Sequence, residues 1–276
     1  MKIGITERGD AGLNLDWFEK LAQKSFYGFN FKGAVLITKN ANNRFQHKVF
    51  YLMQQVGFPN IVIHFTCTGW GNTPMEPNVP DYKTQLNNME TMIANGFPIE
   101  NCVIRVDPII PTPEGIQRAD TVLQEIQKLQ HKYQTKIRVR ISIIDKYQHV
   151  CDRINPVYEY MWNSKTNFYP NQQERYAVLS LVRSYPEIQF ETCAEPFLVR
   201  DAKKYGLSNI IESGCVSETE TKLFGLTNTA TRNYPPQRKN CLCLNCKTEL
   251  LENRNPFNAT TCKPCAHQCK YCYWRD

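Results

Sequence analysis

The chain has 276 residues, with 33 Lys and Arg against 26 Asp and Glu, a net charge of +7, and 12 cysteines. That length can bury a sizeable core in one barrel-sized domain plus a small appendage, and the mild basic excess is compatible with a phosphorylated or nucleic-acid partner without demanding one. No apolar run reaches the roughly eighteen residues a membrane helix needs, and Met1-Lys2-Ile3-Gly4 enters a strand-like segment directly. Neither a membrane span nor a signal peptide is expected, so the chain reads as cytoplasmic. In that reducing compartment its cysteines should be metal ligands or buried thiols rather than a disulfide framework.

From the N-terminus, short β-branched runs alternate with longer amphipathic runs, the pattern of repeated βα units around a parallel sheet. Strands are expected at Lys2 to Thr6, Ala34 to Thr38, Asn60 to Thr66, Asn101 to Val106, Ile137 to Ile143, Ile188 to Thr192 and Ser208 to Ile211. Helices are expected near Asp16 to Phe26, Arg44 to Val56, Tyr82 to Asn95, Gly115 to Tyr133, Gln172 to Ser184, Leu198 to Tyr205 and Ser217 to Phe224. The fourth is the clearest, because Ala119, Val122, Leu123, Ile126, Leu129 and Tyr133 share one helical face. Right-handed crossovers would curl about seven such units into a partial or near-closed (βα) barrel of TIM type. The barrel is expected over residues 1–232, and a cysteine-rich metal-binding tail over 233–276. Polar 227–239, ending in Pro235-Pro236-Gln237-Arg238, reads as the linker between them.

On this architecture chemistry belongs at the C-terminal strand ends. Arg105, Asp107 and Glu195 are the candidate catalytic residues there, and Arg8 and Ser142 are candidates for holding a cofactor. Each could equally belong to a salt bridge or hydrogen bond at the strand exits. Two long connections could cover that end. One is Thr68 to Pro80, rich in Gly and Pro; the other is His149 to Asn171, carrying Tyr158, Tyr160, Trp162, Phe168 and Tyr169. These rings could stack on a nucleobase, or simply tuck their own loops.

Seven cysteines fall in the last thirty-six residues, ending Cys265-Ala266-His267-Gln268-Cys269-Lys270-Tyr271-Cys272. The C-x3-C-x2-C spacing lets one loop wrap three thiolates around a cubane [4Fe-4S] cluster and leaves the fourth iron open. A competing pattern is a zinc ribbon, Cys243-x2-Cys246 and Cys262-x2-Cys265 with fifteen residues between the pairs. Both patterns claim Cys265. The ribbon would make the chain a nucleic-acid-binding metal protein without radical chemistry, helped by a tail carrying Lys239, Lys247, Arg254, Lys263 and Lys270.

The three-cysteine loop, with an aromatic before its last cysteine, resembles that of radical S-adenosylmethionine (SAM) enzymes. The chain as a whole resembles DUF1848, a bacterial family described as radical-SAM-like. The likeness rests on ITERGD, AVLITKN, FTCTGWGNTPMEPNVP, IRVDPII, ISIIDKY and CAEP, on Gly214-Cys215, on Gln237-Arg238 with Cys241-Leu242-Cys243, and on terminal CAHQCKYCYW. Glu7 and Gly9 depart from the usual N-terminal signature, and Cys246 and Cys262 are additions to it.

The resemblance implies a radical-SAM barrel whose cluster loop is C-terminal, distantly like spore photoproduct lyase. It also implies SAM as cofactor, an electron donor such as flavodoxin or ferredoxin, and hydrogen abstraction from a substrate that could be a nucleic acid or nucleotide. Cys265, Cys269 and Cys272 would hold the cluster. Cys193, Cys215, Cys241 and Cys243 would hold a second metal group, a [4Fe-4S] cluster or zinc, while Cys241, Cys243, Cys246 and Cys262 form a rival local zinc set.

Overall fold

The computed structural model describes residues 2–226, 248–252 and 265–272. Its main sheet has eight parallel strands: β1 (Lys2–Ile5), β4 (Phe31–Thr38), β5 (Ile61–Thr66), β6 (Cys102–Ile109), β7 (Arg138–Ile143), β8 (Phe190–Cys193), β9 (Ile210–Ser213) and β10 (Thr248–Leu250). Their spatial order is β10-β1-β4-β5-β6-β7-β8-β9, so every strand up to β9 lies beside its predecessor in the sheet. A separate two-stranded hairpin, β2 (Lys24–Ser25) and β3 (Gly28–Phe29), stands apart. The helices are α1 (Asp16–Ala22), α2 (Asn43–Tyr51), α3 (Tyr82–Ala94), α4 (Pro113–Tyr133), α5 (Gln148–Tyr158), α6 (Gln172–Ser184), α7 (Pro196–Lys204) and α8 (Glu218–Leu223).

Strand parity explains the two faces of this α/β fold. Along β5, Ile61, Ile63 and Phe65 enter the large core with Leu86 and Met89 of α3, while alternate Val62 joins a second core on the opposite face. All six β5 residues are buried, as a parallel strand covered on both faces requires. The helix-covered side is anchored by α4, whose Val122, Leu123 and Ile126 are fully buried and contribute roughly 1.5–3 kcal/mol each. The α4 N-terminus is set by the Thr112 hydroxyl, which accepts the Gly115 N–H at 3.2 Å, and by Pro113 in its first turn. Only glycine fits at 115, since a Cβ there would lie 2.1 Å from the Ile110 carbonyl oxygen.

The opposite face is layered. Ile3, Val35, Val62 and Val103 form an apolar layer closed by Phe224, whose ring would meet a Cβ at Gly33 at 2.4 Å. Above it lies a buried polar layer of His64, Arg140, Glu191 and Glu220. Glu220, on α8, is 2.7 Å from Arg138 and 3.6 Å from both Arg140 and His64, while Arg140 also pairs with Glu191. Burial is the largest influence on both titratable members. It lowers the His64 pKa to about 3, and on Glu220 it is outweighed by Arg140, His64 and Arg138 together, which hold that carboxyl well below its usual range.

All seven expected strands are present, with ends shifted by at most three residues. The differences lie elsewhere. The first helix stops at Ala22, and 24–29 form the hairpin because Gly28 takes a φ of 106° that no helix admits. An unforeseen α5 occupies the start of the second long connection, with Val150, Cys151 and Ile154 buried. An unforeseen β10 pairs with β1, so the tail supplies a strand to the sheet. The linker, the 232/233 boundary, Cys241, Cys243, Cys246, Cys262 and the basic residues Lys239, Lys247, Arg254 and Lys263 lie outside the described residues.

The polar layer makes stability pH-dependent in one direction. His64 is neutral when folded and protonates at its ordinary 6.5 when unfolded, so stability falls as pH drops below that value, by up to about 1.4 kcal/mol per unit. Glu220 adds a further loss once pH falls through the ordinary carboxylate value of 4.5. Urea midpoints measured from pH 6.5 to 4 should decline steadily in the wild type, and His64→Gln should flatten the curve between 6.5 and 4.5. An unchanged slope in that variant would show that His64 is not the titrating group.

Candidate functional site

At the C-terminal ends of the strands lies a cavity of about 220 Å³. Its wall includes Arg8, Asp10 and Lys39 from the first two strand exits, Arg105, Asp107 and Ser142 from β6 and β7, Cys193 and Cys215 from the last two, and Cys265, Cys269 and Cys272 from the terminal loop. Residues as far apart as Arg8 and Cys272 thus meet at one place because parallel strands all exit on one side.

The terminal loop is built from two consecutive turns. Gln268 N–H donates to the Cys265 carbonyl at 3.2 Å and Cys272 N–H to the Cys269 carbonyl at 3.3 Å, with Gln268 left-handed at φ 54°. It is then tied down on every side. Tyr271 O–H donates to Glu76 Oε1, to which Lys39 Nζ donates at 2.8 Å, while the Thr68 hydroxyl donates to Glu76 Oε2 at 2.6 Å. His267 Nε2 lies 3.0 Å from Asp10 Oδ2, and its Nδ1 donates to the Asn78 carbonyl at 3.0 Å. Lys270 N–H donates to Met75 O at 2.9 Å, and Arg153 of α5 donates to the carbonyls of Lys270 and Cys272 at 2.9 and 2.5 Å.

The charges are consistent with this clamp. Burial disfavours charge on Lys39, but the neighbouring acidic groups, Glu76 foremost and Asp10 further off, together outweigh it and raise the pKa, so the ammonium stays on. Burial also works against the charged His267, yet Asp10 holds it above its ordinary value, giving a buried ion pair. Burial, with Glu76 second, pushes the Tyr271 hydroxyl and the Cys269 thiol well up, which keeps Tyr271 a donor.

A small third core lies beneath the loop: Cys269 and Tyr271 pack with Trp70, Met75, Ile110, Ile144, Val150 and Ile154. The aromatic insertion is part of it. Trp70 meets Tyr158 edge-on at 5.6 Å, Tyr158 stacks on Tyr160 at 5.6 Å, and Tyr160 lies 4.6 Å from Trp162. These rings are spent on one another and on the loop, as in the tucked-loop reading of 149–171.

Of the residues read from sequence, Arg8, Arg105, Asp107, Ser142, Cys193, Cys215, Cys265, Cys269 and Cys272 share the cavity wall. Arg105 pairs with Asp107, which also accepts the Ser142 hydroxyl. Glu195 stands one layer behind, buried, with Oε1 accepting the Ile143 N–H at 2.9 Å. Sequence reasoning missed Glu76, His267 and Arg153. Glu76 carried no signal beyond its place in the Pro-rich connection, and Arg153 sits on the helix that was read as loop.

Among the described residues, no three His, Cys, Asp or Glu side chains converge on a point where one metal ion could sit. Cys265, Cys269 and Cys272 line the same cavity.

Fold and site together define an α/β protein with a parallel eight-stranded sheet and a cysteine-lined cavity at its C-terminal edge. The chain belongs to the family described as Domain of unknown function (DUF1848), whose model matches residues 19–274. No curated protein and no solved structure matches the chain.

Glu76 is the centre of the clamp. Glu76→Ala leaves buried Lys39 without its carboxylate and should cost about 3–5 kcal/mol. In hydrogen-exchange mass spectrometry, peptides covering 265–272 should lose protection in this variant while those of β5 and β6 keep theirs. Equal protection of the loop peptide in the wild type and in Glu76→Ala would show that the clamp does not hold it.

Proposed function

We propose that this protein is a radical SAM enzyme built on a partial (βα) barrel of TIM type, with Cys265, Cys269 and Cys272 holding a [4Fe-4S] cluster. The observation that carries the reading is that these three thiols face the same cavity as the polar strand exits. Such a cluster with SAM supplies one-electron reductive cleavage and hydrogen abstraction from an unactivated carbon.

The chain's own residues have distinct tasks in this reading. Glu76, Lys39, Asp10 and Arg153 fix the loop against the strand ends, and the third core keeps water from its inner side. Arg105, Asp107 and Ser142 form a hydrogen-bonded row on the cavity floor, placed to orient a polar ligand. Arg8 and Ser142 are the groups assigned to cofactor binding, Arg105 and Asp107 those assigned to substrate chemistry. Glu195 supports the floor through Ile143.

Cys265 shares the cavity with Cys269 and Cys272, which favours the three-cysteine loop over a zinc ribbon that would need it elsewhere. Nucleic acid as the substrate rests on the +7 charge, because Tyr158, Tyr160 and Trp162 pack on one another and against the third core. A flavodoxin or ferredoxin would supply the electron, in the cytoplasm.

Protein reconstituted anaerobically should turn brown, with broad visible absorbance, and should form 5'-deoxyadenosine from SAM on addition of dithionite. The Cys265→Ala, Cys269→Ala, Cys272→Ala triple variant should lose that absorbance and all SAM cleavage while its circular dichroism stays native. SAM cleavage retained by the triple variant, or colourless wild-type protein carrying zinc on these residues, would exclude the assignment.

A further inference from the structure

Between α1 and β4 the chain makes the β2–β3 hairpin, which stands apart from the main sheet. Ser25 pairs with Gly28 across it, so its loop is Phe26-Tyr27, and these two side chains are 97% and 95% exposed. Turn chemistry gives no reason for them. Two-residue loops favour Gly, Asn or Asp, and large rings held in water forfeit the burial that aromatic side chains gain elsewhere. The charge behind the tip has one sign. No Asp or Glu occurs between Glu19 and Glu76. Lys24 lies on β2 with its ammonium 4.5 Å from the Phe29 ring centroid, Lys20 and Lys48 are in the last turns of α1 and α2, and Lys32 is the second residue of β4. Glu249 on β10, two strands away, is matched by Lys2 at 2.5 Å. Because β4 starts two residues after β3 ends, this face lies at the N-terminal end of the strands, opposite the cavity.

We propose that this hairpin docks the protein on an anionic membrane surface, with Phe26 and Tyr27 entering the headgroup layer and Lys20, Lys24 and Lys32 facing the lipid phosphates and carboxylates. Aromatic rings favour that interface, because their apolar bodies leave water while the Tyr27 hydroxyl stays hydrated. Each lysine near an anionic leaflet is worth about fivefold in affinity, and salt screens that attraction. The shape favours a bilayer over a nucleic acid. A single strand is bound along a basic groove by rings that stack on its bases, whereas these rings project from an exposed tip and meet each other edge-on, with centroids 5.4 Å apart. A bilayer needs no groove. With two rings and a few lysines the attachment is peripheral and reversible. This surface goes beyond the proposed chemistry and does not depend on it, since docking at the hairpin leaves the cavity end open.

Full-length protein should sediment with vesicles of phosphatidylserine and phosphatidylcholine, stay in solution with phosphatidylcholine alone, and be released by added salt. Phe26→Ser combined with Tyr27→Ser should weaken vesicle binding by about 10-fold or more. Its circular dichroism and urea midpoint should stay those of the wild type, because neither ring belongs to a core. Lys24→Glu should weaken binding too and make it less sensitive to salt. Phe26→Trp reports a gained signal in a folded protein: its emission in excess of the wild type should shift to the blue on these vesicles and be quenched by brominated acyl chains. Wild-type protein that ignores phosphatidylserine vesicles, or a double serine variant that binds them equally well, would overturn the proposal. So would ring-dependent binding of single-stranded RNA or DNA without vesicle binding, which assigns the face to nucleic acid, or a dimer lost in the double variant without vesicle binding, which assigns it to a second copy of this chain. None of these measurements involves the cluster or SAM, so the membrane surface and the radical chemistry fail independently.

Discussion

A carboxylate buried to 1% exposure has to be matched completely, and the match found for Glu76 organises the candidate site. Lys39 supplies the opposite charge from the exit of β4, Thr68 a hydroxyl from the exit of β5, and Tyr271 a hydroxyl from the far end of the chain. Removing any one leaves a buried polar group short of a partner. The terminal loop is therefore placed by an interaction whose alternative is costly, and its cysteines take the position that follows. Asp10 and His267 repeat the device on the other flank of the loop.

The same logic grades the interior of the opposite sheet face. Apolar residues fill the end nearest α8, paired charges occupy the middle, and thiols and hydroxyls line the open end. Each inward residue on β5 to β8 is two positions beyond the last, so Val62, His64 and Thr66, or Val103, Arg105 and Asp107, span from core to cavity along one strand. Arg105 links the layers, since it approaches His64 below and Asp107 and Cys215 above. A ligand in the cavity consequently rests on a floor that is itself ion-paired and buried, a preorganised arrangement rather than one assembled on binding.

The two long connections and the terminal loop form a structural unit of their own. Neither connection has enough apolar surface to fold alone, and the loop has two turns and no regular structure. Together they enclose the core around Trp70, Ile144 and Tyr271, so the cap and the site stand or fall as one. In this arrangement Tyr158, Tyr160 and Trp162 of the aromatic-rich insertion pack against that core.

The sequence by itself determined the alternation of strands and helices, the parallel sheet and the strand exits where polar residues gather. Those are local or short-period signals: β-branched runs in β4, β5 and β7, the one-faced heptad-like stripe of α4, and cysteine spacing within eight residues. It also named most of the cavity wall, because strand order puts Arg105, Asp107, Ser142, Cys193 and Cys215 on one side whatever the side chains do. Tertiary structure alone decided which of these touch. The Lys39–Tyr271 contact spans 232 positions and the Cys193–Cys215 contact 22, and no periodicity in the chain encodes either. It also decided that Glu195 braces a strand end instead of facing the cavity, that β10 enters the sheet beside β1, and that Arg153 reaches the loop from a helix whose internal Pro156 reads as loop. A buried charge declares its partner only when the fold brings the two within reach.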